Sequence, residues 1–166
     1  MSQSTWRILI KKDAITDAVL DENAARPDVG DGQIEVSVKS FALTTNNITY
    51  AVVGGSFRYW EFYPTGDESL GILPIWGFGE VTASKSADIG VGEMLYGFFP
   101  MASHTVLVPG KVSANSIVDQ SAHRRGLALA YNQYTRVRDV DAGEKDYWPI
   151  SKPLLTTGFM IADQFE

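Results

Sequence analysis

Ile34, Val36 and Val38 alternate with Glu35, Ser37 and Lys39, directly after the turn-dense run Arg26-Pro27-Asp28-Val29-Gly30-Asp31-Gly32. A period of two marks a strand with one buried face, because successive side chains point to opposite sides of the pleat. Such a strand needs neighbours to pair with, and the chain offers them. Short β-rich runs recur at Trp6 to Ile10, Ala14 to Leu20, Gly79 to Thr82, Met94 to Phe99 and His104 to Val108. Turn residues separate them, notably Ala87-Asp88-Ile89-Gly90-Val91-Gly92 and Pro109-Gly110. Short strands joined by glycine-rich turns predict a mainly β (α+β) fold built on a small barrel or sandwich.

Two stretches read as helical. Ser121 is placed to cap a helix from Ala122 to about Tyr134, with Leu127, Ala130, Tyr131 and Tyr134 on one face. After Pro149 and Pro153, the residues Leu154, Leu155, Phe159, Met160 and Ile161 repeat the helical spacing. That pattern runs to Glu166 with no Gly, Asn or Pro to stop it, so the natural polypeptide is expected to continue. Ile48 to Val53 fits a short helix or a strand equally well. The segment from Gly54 to Gly71 has no clean period but carries Phe57, Tyr59, Trp60, Phe62 and Tyr63, which are expected to pack against the body.

Composition narrows the chemistry. With no Cys at all, disulfides, Cys-ligated zinc or iron–sulfur centres and a Cys nucleophile are excluded. His occurs only at His104 and His123, and no G-x-S-x-G motif is present. The net charge is -6, and the only close basic pairs are Lys11-Lys12 and Arg124-Arg125, which argues against nucleic acid as a partner. No apolar run approaches the roughly 18 residues of a membrane span. The first residues lack the apolar core of a secretion signal, so a cytoplasmic location is expected. The pairs Gly30/Gly32, Gly77/Gly79 and Gly90/Gly92 each lack the third glycine of the dinucleotide fingerprint. The best local site candidate is Thr44-Thr45-Asn46-Asn47 with Tyr50, whose amides and hydroxyls can donate to a carbonyl or a ribose. The same residues also suit a self-capped polar turn.

Several of these pieces resemble, in order and spacing, the N-terminal catalytic domain of the medium-chain dehydrogenase/reductase superfamily. The nearest branch is that of the zinc-free quinone oxidoreductases. Gly32 to Lys39 resembles the family's G-E-V-L-V-R-V strand, and Ala42 to Asn47 falls where the family reads roughly G-V-N-P-V-D. Val91 to Phe98 resembles V-G-D-R-V-W-G-F, and His104 to Gly110 resembles the strand of A-E-Y-V-V-V-P type. The likeness covers about residues 30 to 112. Departures include Thr44 for the usual Asn, Asn47 for the usual Asp, and Thr44-Thr45 near the Cys-His of zinc-dependent members. The region from Arg124 to Phe165, with Tyr131-Asn132-Gln133-Tyr134 and Pro153 to Thr157, resembles a divergent, uncharacterised family of dehydrogenase-like proteins.

The resemblance implies a GroES-like irregular β-barrel over residues 1–118 and a helical segment over 119–166 leading toward a Rossmann domain outside this chain. It implies the substrate side of a zinc-independent oxidoreductase that uses NAD(P)H in the complete protein to reduce a carbonyl or an enone. Thr44, Asn47 and Tyr50, and more remotely Tyr131 and Asn132, would line the cleft, with no metal and no assigned catalytic residue. The partner would be a small-molecule substrate, and this chain alone would not hold the cofactor strongly. Part of the Leu154-Leu155-Phe159-Met160 stripe would be exposed or covered by a second copy of the chain. The alternative is a stand-alone binding or assembly barrel that uses Phe57 to Tyr63 as its contact surface.

Overall fold

The strand that carries Ile34 and Val36 lies inside a seven-stranded antiparallel sheet in a computed structural model describing residues 5–138 and 142–163. In chain order the elements are β1 (Arg7–Lys11), β2 (Ala14–Asp21), β3 (Ile34–Phe41), α1 (Thr45–Val52), β4 (Leu70–Gly71) and β5 (Pro74–Ser84). They continue with β6 (Met94–Pro100), β7 (His104–Leu107), β8 (Pro109–Val112), β9 (Ser116–Asp119), β10 (Gln133–Val137) and α2 (Ala142–Asp163). The large sheet has the order β7-β3-β5-β6-β10-β9-β8 and curls into a half-barrel, while β2-β1-β4 form a small second sheet. The fold is thus mainly β with a C-terminal helix, the class that the strand spacing predicts.

Ile34, Val36, Ile75, Val81, Leu95, Phe99, Leu107 and Ile117 are fully buried on one face of the curled sheet, and Phe98, equally buried, packs on the other face against Trp76 and Tyr131. The opposite face of β3 differs from expectation. Glu35 is only 2% exposed and Ser37 is also buried, whereas Val38 is half-buried. Both guanidinium nitrogens Nε and Nη2 of Arg26 donate to the Glu35 carboxylate, at 2.8 and 2.6 Å, and Thr82 Oγ1 donates to it at 2.6 Å. The segment before β3 therefore folds back over what would otherwise be its wet side.

The helix expected from Ala122 to Tyr134 does not form. Residues Ala122–Arg124 and Leu129–Tyr131 are single 3-10 turns, and Gly126 between them has φ 81. That left-handed backbone cannot continue an α-helix. Tyr134, fully buried, belongs instead to β10, where it pairs with Ile117 of β9 while Thr135 pairs with Tyr96 of β6. Burial of Tyr134 between two strands outweighs a local helical period. The sheet consequently runs on to Val137, and continuous helix begins at Ala142. Ser121, expected as the cap, instead donates its hydroxyl to Asp119 Oδ1 at 2.7 Å.

The aromatic segment is packed, as expected: Trp60, Phe62 and Tyr63 are buried and Phe57 is exposed. Little of it remains as a contact surface. Helix α2 contains both Pro149 and Pro153 rather than starting after them. It is fastened to the sheet where the Tyr96 hydroxyl donates to the Trp148 carbonyl at 3.0 Å and the Trp148 indole meets the Phe78 and Tyr96 rings. Leu154 and Leu155 are exposed, while the side chains of Phe159 and Met160 lie outside the described residues. Among the described residues no helix is long and apolar enough to cross a membrane.

Candidate functional site

Helix α1 begins directly after β3, and its first turn is held by an exchange between Thr44 and Asn47. The Thr44 N–H donates to Asn47 Oδ1 at 2.7 Å and the Asn47 N–H donates to the Thr44 carbonyl at 3.0 Å. The Asn47 amide nitrogen donates to the Pro74 carbonyl at the start of β5, at 3.1 Å. Asn47 is buried and spends its side chain on capping α1 and tying it to the sheet. One helical turn later, Tyr50 packs against Phe98 of β6, and its hydroxyl accepts from the indole N–H of Trp76 on β5 at 3.3 Å. Accepting leaves the Tyr50 proton free to be donated.

Tyr50, Trp76, Tyr96, Tyr131, Thr135 and Lys152 line a cavity of about 420 Å³, completed by Asn46, Ala130, Gln133 and Pro153. A narrow cleft joins its α1 side and is lined by Thr44, Asn47, Tyr50 and Trp76 against Pro149, Ile150 and Pro153. The walls are aromatic. Trp76 and Tyr96 lie at 5.8 Å with an interplanar angle of 22°, and Tyr131 sits 6.0 Å from Trp76 and 6.4 Å from Tyr50. The Tyr131 and Tyr59 hydroxyls are 3.1 Å apart, so one of their two protons is used between them and the other is available.

Burial pushes the Tyr50, Tyr96 and Tyr131 phenols above the usual tyrosine value; the indole bond from Trp76 works against it at Tyr50, and the Tyr59 hydroxyl adds to it at Tyr131. All three are neutral donors at physiological pH. Burial also lowers Lys152, with Glu144 opposing it. The site can therefore stack a flat molecule and donate to an oxygen on it.

Of the residues singled out in the sequence, Tyr50 and Tyr131 meet in this cavity, and Thr44 and Asn47 border the adjoining cleft. Asn132 is elsewhere: buried, its amide oxygen accepts from Arg124 Nη1 and its amide nitrogen donates to the Arg124 carbonyl, both at 3.4 Å. It supports the turn before β10 rather than the cavity. Sequence reasoning missed Trp76, Tyr96 and Lys152. The sequence carried no signal for Tyr96 or Lys152, and that Trp76 is left half-buried in the otherwise closely packed Ile75-Trp76-Gly77-Phe78 run is visible only in the structure. Among the described residues no cluster of three or more His, Asp or Glu converges as a metal site would require.

Residues 41–166 match the family described as "Protein of unknown function (DUF2855)". The chain belongs to the DUF2855 family. Every residue lining the aromatic cavity of this DUF2855 chain falls inside the matched stretch. No curated protein matches it. Among solved structures, it is similar to the CurF ER cyclopropanase from the curacin A biosynthetic pathway, with 16% identity and a TM-score of 0.49 over 64% of this chain. The DUF2855 chain covers 34% of that protein, about a third of its length.

Proposed function

We propose that the chain is the substrate-side part of a zinc-independent oxidoreductase, and that its aromatic cavity receives a flat carbonyl or enone compound. The observation that carries this reading is the convergence of neutral phenol donors, Tyr50 and the Tyr131–Tyr59 pair, on an aromatic-walled opening of about 420 Å³. That volume suits a small molecule, and a few placed polar groups on an apolar wall are the usual form of such a site. The Tyr50 hydroxyl would donate to the substrate oxygen and so polarise the carbonyl. Trp76, Tyr96 and Tyr131 would orient the conjugated plane.

The resemblance of the sequence to medium-chain dehydrogenases names NAD(P)H as the cofactor of the complete protein. When bound, it supplies a hydride. The residues present fit only its flat end. An aromatic wall can face a nicotinamide ring, but no G-x-G-x-x-G turn is present to hold the diphosphate. The chain by itself is then a binding unit for the substrate.

Titration calorimetry with benzylideneacetone, a planar enone, tests the reading. Saturable binding to the wild-type chain, weakened about fivefold in Tyr50→Phe, is the expected result, in line with the ~1 kcal/mol of one hydrogen bond. Absence of saturable binding, or equal affinity in Tyr50→Phe, overturns it.

A further inference from the structure

Among the described residues, Lys152 is the only charged one lining the aromatic cavity. The whole chain carries a net charge of -6, yet no Asp or Glu among the described residues lines this opening. The Lys152 ammonium lies over the Trp148 ring and 5.1 Å from the centre of the Tyr96 ring. Among the described residues it has no carboxylate partner within ion-pair distance. Lys12, Lys85, Lys111, Arg125 and Arg138 share that lack, but only Lys152 lines the cavity. Glu144, on its own helix, acts on it only at longer range. Two aromatic faces hold the ammonium at the rim without neutralising it, since a ring quadrupole attracts a cation but carries no net charge.

We propose that Lys152 is a specificity residue that selects flat ligands bearing a carboxylate. The inference rests on the cavity being the substrate site. The aromatic walls accept the conjugated plane, the tyrosines face its neutral oxygen, and the ammonium receives the anionic end. A carboxylate there forms a charge-assisted hydrogen bond in a partly desolvated setting, the geometry in which such bonds are strongest.

The test compares two probes of one skeleton by calorimetry: cinnamate, which carries a carboxylate, and benzylideneacetone, which carries a methyl ketone. The wild-type chain should bind cinnamate at least tenfold more tightly, and that preference should shrink as sodium chloride is raised. Lys152→Met should abolish the preference while still binding benzylideneacetone, which shows that the cavity is intact. Lys152→Arg should retain it. Equal binding of the two probes by the wild type, a preference indifferent to salt, or a preference that survives in Lys152→Met overturns the proposal. In those cases saturable benzylideneacetone binding would leave the cavity reading standing. Binding of neither probe would remove both.

Discussion

Arg124 Nε and Asp119 Oδ2 lie 3.1 Å apart, with both side chains only 1% exposed. The pair is close enough for an ion pair but off the line of a hydrogen bond, and among the described residues Asp119 Oδ2, Arg124 Nε and Arg124 Nη2 have no hydrogen-bond partner. Asp119 Oδ1 accepts from the Val108 and Ser121 N–H groups, both at 3.0 Å, and from the Ser121 hydroxyl. Arg124 Nη1 donates to the Tyr134 hydroxyl at 3.0 Å, and the guanidinium covers the Tyr63 ring. One buried pair thereby joins β9, β10 and the aromatic segment.

Removing one partner leaves an uncompensated buried charge. Asp119→Ala should lower stability by about 3–5 kcal/mol in urea unfolding. Replacing both together, Asp119→Ala with Arg124→Met, should cost less than the sum of the single changes.

Stability should fall in two steps as pH drops. Burial depresses His104 and His123 below the ordinary histidine value of 6.5. The unfolded chain then binds more protons, so stability present above about pH 6.5 is lost as pH falls through the depressed folded values. Arg26, by hydrogen bonds and charge, and Thr82 hold Glu35 below its usual 4.5 although burial opposes them. Its contribution is complete above 4.5 and disappears as pH falls through the lower folded value. Denaturant midpoints measured from pH 8 to 3 should show both windows. Glu35→Gln should flatten the lower one and, by removing a carboxylate whose charge favours protonated His104, deepen the upper one.

Gly97 of β6 lies against the Tyr134 ring, where a Cβ would overlap the ring edge, while Gly55 has open space around it. Gly97→Ala should destabilise by about 1–3 kcal/mol because a filled core resists one more carbon. Gly55→Ala should change the urea midpoint little.

Asn47 and Tyr50 are neighbours on α1 with different duties. Asn47→Ala loses the cap and the bond to Pro74, and should cost about 1–3 kcal/mol, read by thermal unfolding. Tyr50→Phe keeps its ring packing and should unfold close to the wild type, its effect confined to ligand binding.

The buried face of β3, the short strands and the packing of the aromatic segment were legible from the residues, because each is a local pattern. A period of two reports which side chains share a face. The same pattern could not say what covers the other face, where the loop before β3 folds back and brings Arg26 onto Glu35. Leu127, Ala130, Tyr131 and Tyr134 have helical spacing, yet Gly126 turns the chain and the gap between β6 and β9 takes residues Gln133–Val137 as a strand. Tyr50 was found because it follows a recognisable strand and polar turn. Lys152 was not, since its neighbours Tyr96 and Trp148 stand 56 and 4 positions away in the chain and only the docking of α2 on the sheet brings the three together. Local side-chain alternation was thus set by the sequence alone. Which faces are covered, and which cation is left facing the cavity, were decided by long-range packing, where burial of large side chains outweighs local propensity.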